Sequence, residues 1–189
     1  MNSIFLVRHG ETRLTGTFCG SSDPTLSSSG RAQAVSAARR LAQFPIGVSF
    51  VSPQRRAKET AAIIRRSLHV PQMTQVSLHE LHFGVWEGLR FKAIEKKWPR
   101  LARRWAEDPT KVRIPGAETF GSLRRRIKRF LEKNRSTFLK RNVLVIAHGG
   151  TLSAIVLELL KLPLREFPKH IQPPGSIRMI EGNKIKAVC

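Results

Sequence analysis

Two short apolar runs, residues 4–7 and 143–146, each stop within two residues at a histidine followed by glycine: Arg8-His9-Gly10 and Ala147-His148-Gly149-Gly150. A run of four or five aliphatic and aromatic residues with no polar alternation is too short for a buried helix. It suits a strand covered on both faces. Strands of that kind belong to parallel sheets with helices packed on either side, so these runs dictate an α/β architecture. Open sheets of this class bind ligands beyond the carboxyl ends of their strands. Arg8, His9, His148 and Gly149 all fall there.

The rest of the chain alternates as such a sheet requires. Residues 13–29 read as a loop rich in Gly, Ser and Thr. Residues 30–42 place Ala34, Ala37, Ala38 and Leu41 on one helical face, and Pro45 stops them. Residues 46–51 are a second strand, closed by Ser52-Pro53. A helix follows over 54–68, with Ser52 expected as its N-cap and Pro53 as its first residue. Residues 73–78 read as a short strand, 80–89 as a Gly- and Trp-bearing loop, and 91–106 as a helix broken at Pro99. Thr119 caps a helix to about residue 136, with Phe120, Leu123, Ile127, Phe130 and Leu131 inward. Residues 142–147 form the third strong strand, 152–160 a deeply packed helix, and 178–180 with 184–188 a hairpin about Gly182-Asn183. The expectation is one domain over 1–189, a three-layer α/β/α sandwich with a mostly parallel central sheet.

Charge narrows the partners. There are 34 Lys and Arg against 13 Asp and Glu, a net charge of +21. Such a field attracts anions, and a basic nucleic-acid-binding protein is the alternative from another class. The cations are spread over many segments, however. The row Arg124, Arg125, Arg126, Lys128, Arg129 and Lys133 has no interleaved aromatic residues, and the chain has no Tyr. A solvated helix face is therefore preferred to a nucleic-acid stripe. The two cysteines, Cys19 and Cys189, form no metal or redox spacing, which fits a reducing cytoplasm. No apolar run approaches the ~20 residues of a membrane span, nor is there a signal segment. With Cys189 last, there is no prenylation box. The sequence leaves the oligomeric state open.

The chemistry follows from the strand ends. The Arg8 guanidinium matches phosphate oxygens. His9 offers a nucleophilic nitrogen near neutral pH. Arg56 falls in the first turn of the helix after strand two, where N–H groups and the helix dipole favour an anion. If the three strands adjoin, Arg8, His9, Arg56 and His148 ring one anion and can stabilise a phosphoryl group in flight. The leaving oxygen then needs an acid opposite the nucleophile, and Glu80, which opens the Gly- and Trp-bearing loop, is the candidate. A carboxyl in that role must hold a proton when substrate is bound, as burial and the phosphate's negative charge both favour. His79 and His82 lack metal-site spacing and read as a chance cluster.

Four motifs in order carry a family resemblance: Leu6-Val7-Arg8-His9-Gly10-Glu11-Thr12; Ser52-Pro53-Gln54-Arg55-Arg56-Ala57-Lys58-Glu59-Thr60-Ala61; Leu78-His79-Glu80-Leu81-His82-Phe83-Gly84-Val85-Trp86-Glu87-Gly88; and Ala147-His148-Gly149-Gly150. Together they resemble the histidine phosphatase superfamily, its phosphoglycerate-mutase-like branch. Residues 16–23 and 26–34, with Phe83-Gly84-Val85-Trp86-Glu87, resemble the α-ribazole phosphatase group within it. The resemblance implies a metal-independent phosphomonoester hydrolase without cofactor, acting on a small phosphorylated metabolite such as α-ribazole 5′-phosphate. It implies His9 as nucleophile, Glu80 as proton donor and acceptor, and Arg8, Arg56 and His148 on the phosphoryl oxygens. Gly149, Thr15 and Gly20 are implied as further phosphate or substrate contacts. The second motif selects Arg56 over Arg55. Thr15 stands where many relatives have Asn, and Glu118 stands one residue late in its turn. A phosphoglycerate mutase is the alternative within the family, but mutases are longer and differ around the acid.

Overall fold

The computed structural model describes residues 2–188. Met1 and Cys189, and with Cys189 the expectation about the last residue, lie outside the described residues. Six strands among these form one sheet in the order β3-β2-β4-β1-β5-β6. β1 (Ser3–Arg8), β4 (Asn142–Ala147), β2 (Ile46–Val51) and β3 (Gln72–Thr74) run parallel. β5 (Ile177–Glu181) and β6 (Lys184–Ala187) close the other edge as an antiparallel hairpin around Gly182, which sits at φ 58°.

The alternation of the strands sorts two cores. Leu6, Phe50, Val143 and Val145 point to one face, against Leu123, Ile127 and Phe130 of α5 (Phe120–Lys133) and Leu152, Ile155 and Val156 of α7 (Gly149–Leu159). Phe5, Val7, Leu144 and Ile146 point to the other, against Ala37 and Leu41 of α1 (Ser28–Leu41) and Ala61 and Ile64 of α2 (Arg55–Leu68). The three-layer α/β/α sandwich with a mostly parallel sheet is thus present. A satellite cluster of Trp86, Ile94, Ala102, Val112 and Ile114 packs α3 (Phe91–Lys97) and α4 (Pro99–Glu107) beside the carboxyl ends of the strands. Among the described residues no helix is long and apolar enough to cross a membrane.

Several elements differ from expectation. α2 begins at Arg55 with Gln54 in the cap position, so Ser52 does not cap it. The predicted strand 73–78 is three residues of β3 followed by a 3₁₀ turn, because β2 offers pairing only as far as Val51. The helix capped by Thr119 ends at Lys133, and α6 (Arg135–Lys140) follows a break at Asn134, whose side-chain amide and backbone N–H both donate to the Phe130 carbonyl. α7 starts at Gly149, three residues early, directly after β4. A 3₁₀ segment over Leu164–His170 was not foreseen.

Register places the site. Arg8 pairs with Ala147, so the next residues, His9 and His148, leave the sheet side by side. Val51 pairs with Ile146, which brings Ser52 to the same level.

Candidate active site

The signature turn is bonded from below. The Gly10 N–H donates to Thr60 Oγ1 (3.1 Å), and that hydroxyl donates to the Arg56 carbonyl (2.8 Å). Gly10 packs so closely that a Cβ would come within 2.2 Å of the Gly30 carbonyl oxygen. The Gly175 N–H donates to the carbonyls of Arg8 and His9. Strand pairing, a helix and a distant loop together leave His9 one orientation.

Its tautomer follows from its neighbours. The Gly10 carbonyl, 2.7 Å from His9 Nδ1, can only accept, so Nδ1 carries the proton. His9 Nε2 therefore keeps its lone pair, and Arg56 Nε donates to it at 3.2 Å. The same N–H reaches His148 Nδ1 at 3.1 Å. The proton of His148 is then on Nε2, donated to Ser52 Oγ at 2.7 Å. Both imidazoles are neutral. Burial pushes His9 down from 6.5 to about 3, and the positive charges of Arg56 and Arg8 add to the effect against the Gly10 bond. His148, fully buried, lies well below its ordinary value, first through burial and then through His9 and the arginines.

Arg56 is only 1% exposed, and carbonyls meet three of the four N–H groups of its fork. Nη1 donates to the Ser22 carbonyl (2.6 Å), and Nη2 to the carbonyls of Cys19 and Gly20 (3.2 Å each). Arg8 Nη1 donates to the Gln172 carbonyl at 2.6 Å, while its Nε is buried without a partner. That orphaned donor is one an anion could fill. Burial lowers the Arg8 pKa from its ordinary value, although the residue is only partly buried and lines the cavity.

Glu80 sits across the cavity at the amino end of α7. Its carboxyl accepts from the N–H groups of Leu81 (2.9 Å), Gly150 (3.0 Å) and Thr151 (3.1 Å) and from the Thr151 hydroxyl. Gln54 pins its backbone, accepting the Glu80 N–H at 2.8 Å. Glu80 is 8% exposed and lines the cavity.

Arg8, His9, Arg56, Glu80, Thr15 and Gly149 line one cavity of about 380 Å³. Three expected contacts fall otherwise. His148 does not reach the cavity wall: it lies behind Arg56, its ring 5.0 Å from that of His9. Gly20 is not on the wall either. Its N–H donates to Glu87 and its carbonyl accepts from Arg56, and a Cβ there would meet the Leu81 carbonyl oxygen at 2.1 Å. The Thr15 hydroxyl is spent on its own turn, donating to the Thr12 carbonyl (2.7 Å). Glu118 is away from the site, paired through both oxygens with Arg126.

Ser52, Thr60, Gln172 and Glu87 were missed. Burial opposes a charge on Glu87, but the N–H groups of Phe83, Ser21 and Gly20 outweigh it and hold the carboxyl below its usual range. This clamp fixes residues 19–22, whose carbonyls hold Arg56. A glutamate closing a Gly-Val-Trp turn was the available signal for it. Ser52, a lone hydroxyl at the end of an apolar strand, was another.

A buried neutral imidazole with its lone pair beside two cations, facing a carboxyl across a small cavity, can attack phosphorus and protonate a leaving oxygen. Residues 4–189 match the histidine phosphatase superfamily (branch 1), and the chain belongs to that family. It is a phosphatase. Among its relatives, phosphoserine phosphatase 1 of Hydrogenobacter thermophilus is 32% identical over 88% of this chain and 80% of its own length. The adenosylcobalamin/α-ribazole phosphatase of Salmonella typhimurium is 28% identical over 85% of this chain and 80% of its own. The fold is similar to that of a mycobacterial glucosyl-3-phosphoglycerate phosphatase in complex with VO3, with a TM-score of 0.86 and 26% identity over 98% of this chain and 96% of that one.

Proposed function

We propose that the chain is a metal-independent phosphomonoester hydrolase that works through a phosphohistidine at His9. The observation that carries this is the unprotonated Nε2 lone pair, set by the Gly10 bond on the other ring nitrogen, kept without a proton by burial and two arginines, and touched only by an Arg56 N–H that it shares with His148. His9 Nε2 forms the N–P bond while the ester P–O bond breaks, and the electron pair leaves on the oxygen. Glu80 protonates that oxygen, then takes a proton from the water that attacks phosphorus. The N–P pair returns to His9. Arg8 and Arg56 stabilise the charge spread over the equatorial oxygens, and His148 with Arg56 forms the floor beneath them.

The cavity suits a small metabolite, being near the lower end of the roughly 300–1,000 Å³ usual for small-molecule sites. The α-ribazole phosphatase relative and the motif pattern favour α-ribazole 5′-phosphate as substrate. The scarcity of cysteine favours a reducing cytoplasm as the setting. Phosphate release over a panel of phosphorylated metabolites tests the reading, with His9→Ala as control and acid quenching to trap an acid-labile phosphoenzyme. Turnover by His9→Ala at the normal rate would sink it.

A further inference from the structure

Phosphoryl chemistry accounts for one end of the cavity; the remaining wall is of another kind. Leu14, Phe18, Phe83, Trp105, Phe167 and Ile171 face it. The rings are locked to one another. Phe18 meets Phe83 at 5.1 Å and Trp105 at 5.5 Å, both edge to face. Trp105 continues to Phe120 (5.9 Å), and Phe120 to Phe167 (4.7 Å). Contacts of this geometry make a stiff apolar surface ready to take a flat face.

The charged groups on the cavity are few and unevenly placed. Arg8 and Arg56 are at the phosphoryl end, where His9 is neutral. The cavity's other charged lining residues, Glu11 and Glu80, are both acidic. Among the described residues no third cation lines the cavity, despite the net charge of +21. A carboxylate next to the ester would lose its water to rings and two glutamates and gain no partner. An aromatic or flat apolar body would gain the burial the wall offers.

We propose that this site selects phosphomonoesters whose leaving group is an uncharged body with a flat apolar or aromatic face. It discriminates against esters that carry a carboxylate beside the phosphate, phosphoserine and phosphoglycerate among them. The inference rests on the hydrolase reading above. It separates this chain from the phosphoserine phosphatase that it resembles at 32% identity.

Three primary alkyl esters of similar leaving-group chemistry test it: 2-phenylethyl phosphate, O-phospho-L-serine and O-phospho-L-serine amide. The expected kcat/KM is highest for 2-phenylethyl phosphate, about a hundredfold above phosphoserine, with the amide about tenfold above phosphoserine, because a buried polar group left without a partner costs factors of this size. Leu14 is 37% exposed at the mouth and takes no part in the chemistry. Leu14→Arg should raise kcat/KM for phosphoserine about tenfold relative to its amide, mainly through KM, since both esters carry the same ammonium and differ only in the carboxylate that the new cation can pair with. Phosphoserine equal to or better than 2-phenylethyl phosphate in the unmodified protein overturns the selectivity while leaving the hydrolase reading intact. So does a Leu14→Arg effect that is the same for phosphoserine and its amide. Absence of phosphate release from all three esters and from p-nitrophenyl phosphate as well sinks the hydrolase reading, and the selectivity with it.

Discussion

Acid should undo this fold from its centre. His9 titrates at about 3 in the folded chain against 6.5 when free, first because burial strips its water and then because Arg56 and Arg8 oppose another positive charge. Above pH 6.5 neither the folded nor the unfolded chain protonates it, and it contributes no pH dependence. Below that, the unfolded chain takes a proton the folded one refuses, so stability is lost as pH falls through this window. The slope from His9 alone is about 1.4 kcal/mol per pH unit, reaching roughly 5 kcal/mol near pH 3, against a typical total of ~5–15. His148 is shifted the same way and adds to the loss. His9→Gln removes the titration and leaves an amide oxygen to accept from Arg56 Nε. Urea unfolding near pH 7.5 and again near pH 4.5 should show the wild type losing roughly 2.7 kcal/mol more than the variant between the two, the share of one imidazole over two units below 6.5. Carboxylates elsewhere titrate alike in both proteins and cancel. Parallel losses would refute the reasoning, because His9 would then not be the buried neutral base that the hydrogen bonds describe.

Glu80→Gln should slow alkyl phosphates by ~10²–10⁴-fold and activated aryl phosphates far less in the phosphorylation step, since only the poor leaving group needs the proton; a rapid-quench comparison of the two reads this. Ser52→Ala strands the His148 Nε2–H in a fully buried site. It should cost about 1–3 kcal/mol in urea unfolding and lower kcat/KM through the slackened Arg56. Activity should survive EDTA, because arginines supply the charge stabilisation a metal would otherwise give; strong loss restored by a divalent ion in a phosphate-release assay would count against that.

The strands with mostly apolar runs were legible because burial on both faces favours no other pattern: residues 46–51 and 142–147 match their strands end to end. The Thr119 cap was equally plain, since its partner, the Ser122 N–H, lies three residues on. Ser52 was misread for the opposite reason. Ser-Pro after a strand has the local look of a helix start, but its hydroxyl is held by His148, 96 residues away. No window of sequence contains that partner. The basic helix was half misread as well: Arg126 pairs with Glu118 and Arg124 with Glu158, while Lys128 and Arg129 stay exposed. In the site, motif order located Arg8, His9, Arg56, Glu80 and His148, yet not that Arg56 stands in front of His148. That depends on carbonyls from 19–22, and so on the Glu87 clamp. The aromatic wall was illegible because its rings come from four separate segments.

The position of β1 in the sheet has a consequence during synthesis. Its parallel neighbour is β4 and its antiparallel neighbour is β5, both from the last third of the chain. At ~5–20 residues per second, this strand leaves the ribosome on the order of ten seconds before either partner exists. For that interval an apolar segment with two bare edges must be kept from pairing with its like. The nascent chain cannot shorten the delay by closing part of the site, since Arg8 and His9 are tied to Gln172 and Gly175. A translation product that stalls before those residues therefore carries the nucleophile without the means to hold it, and the exposed first strand makes it a target for chaperones or proteolysis.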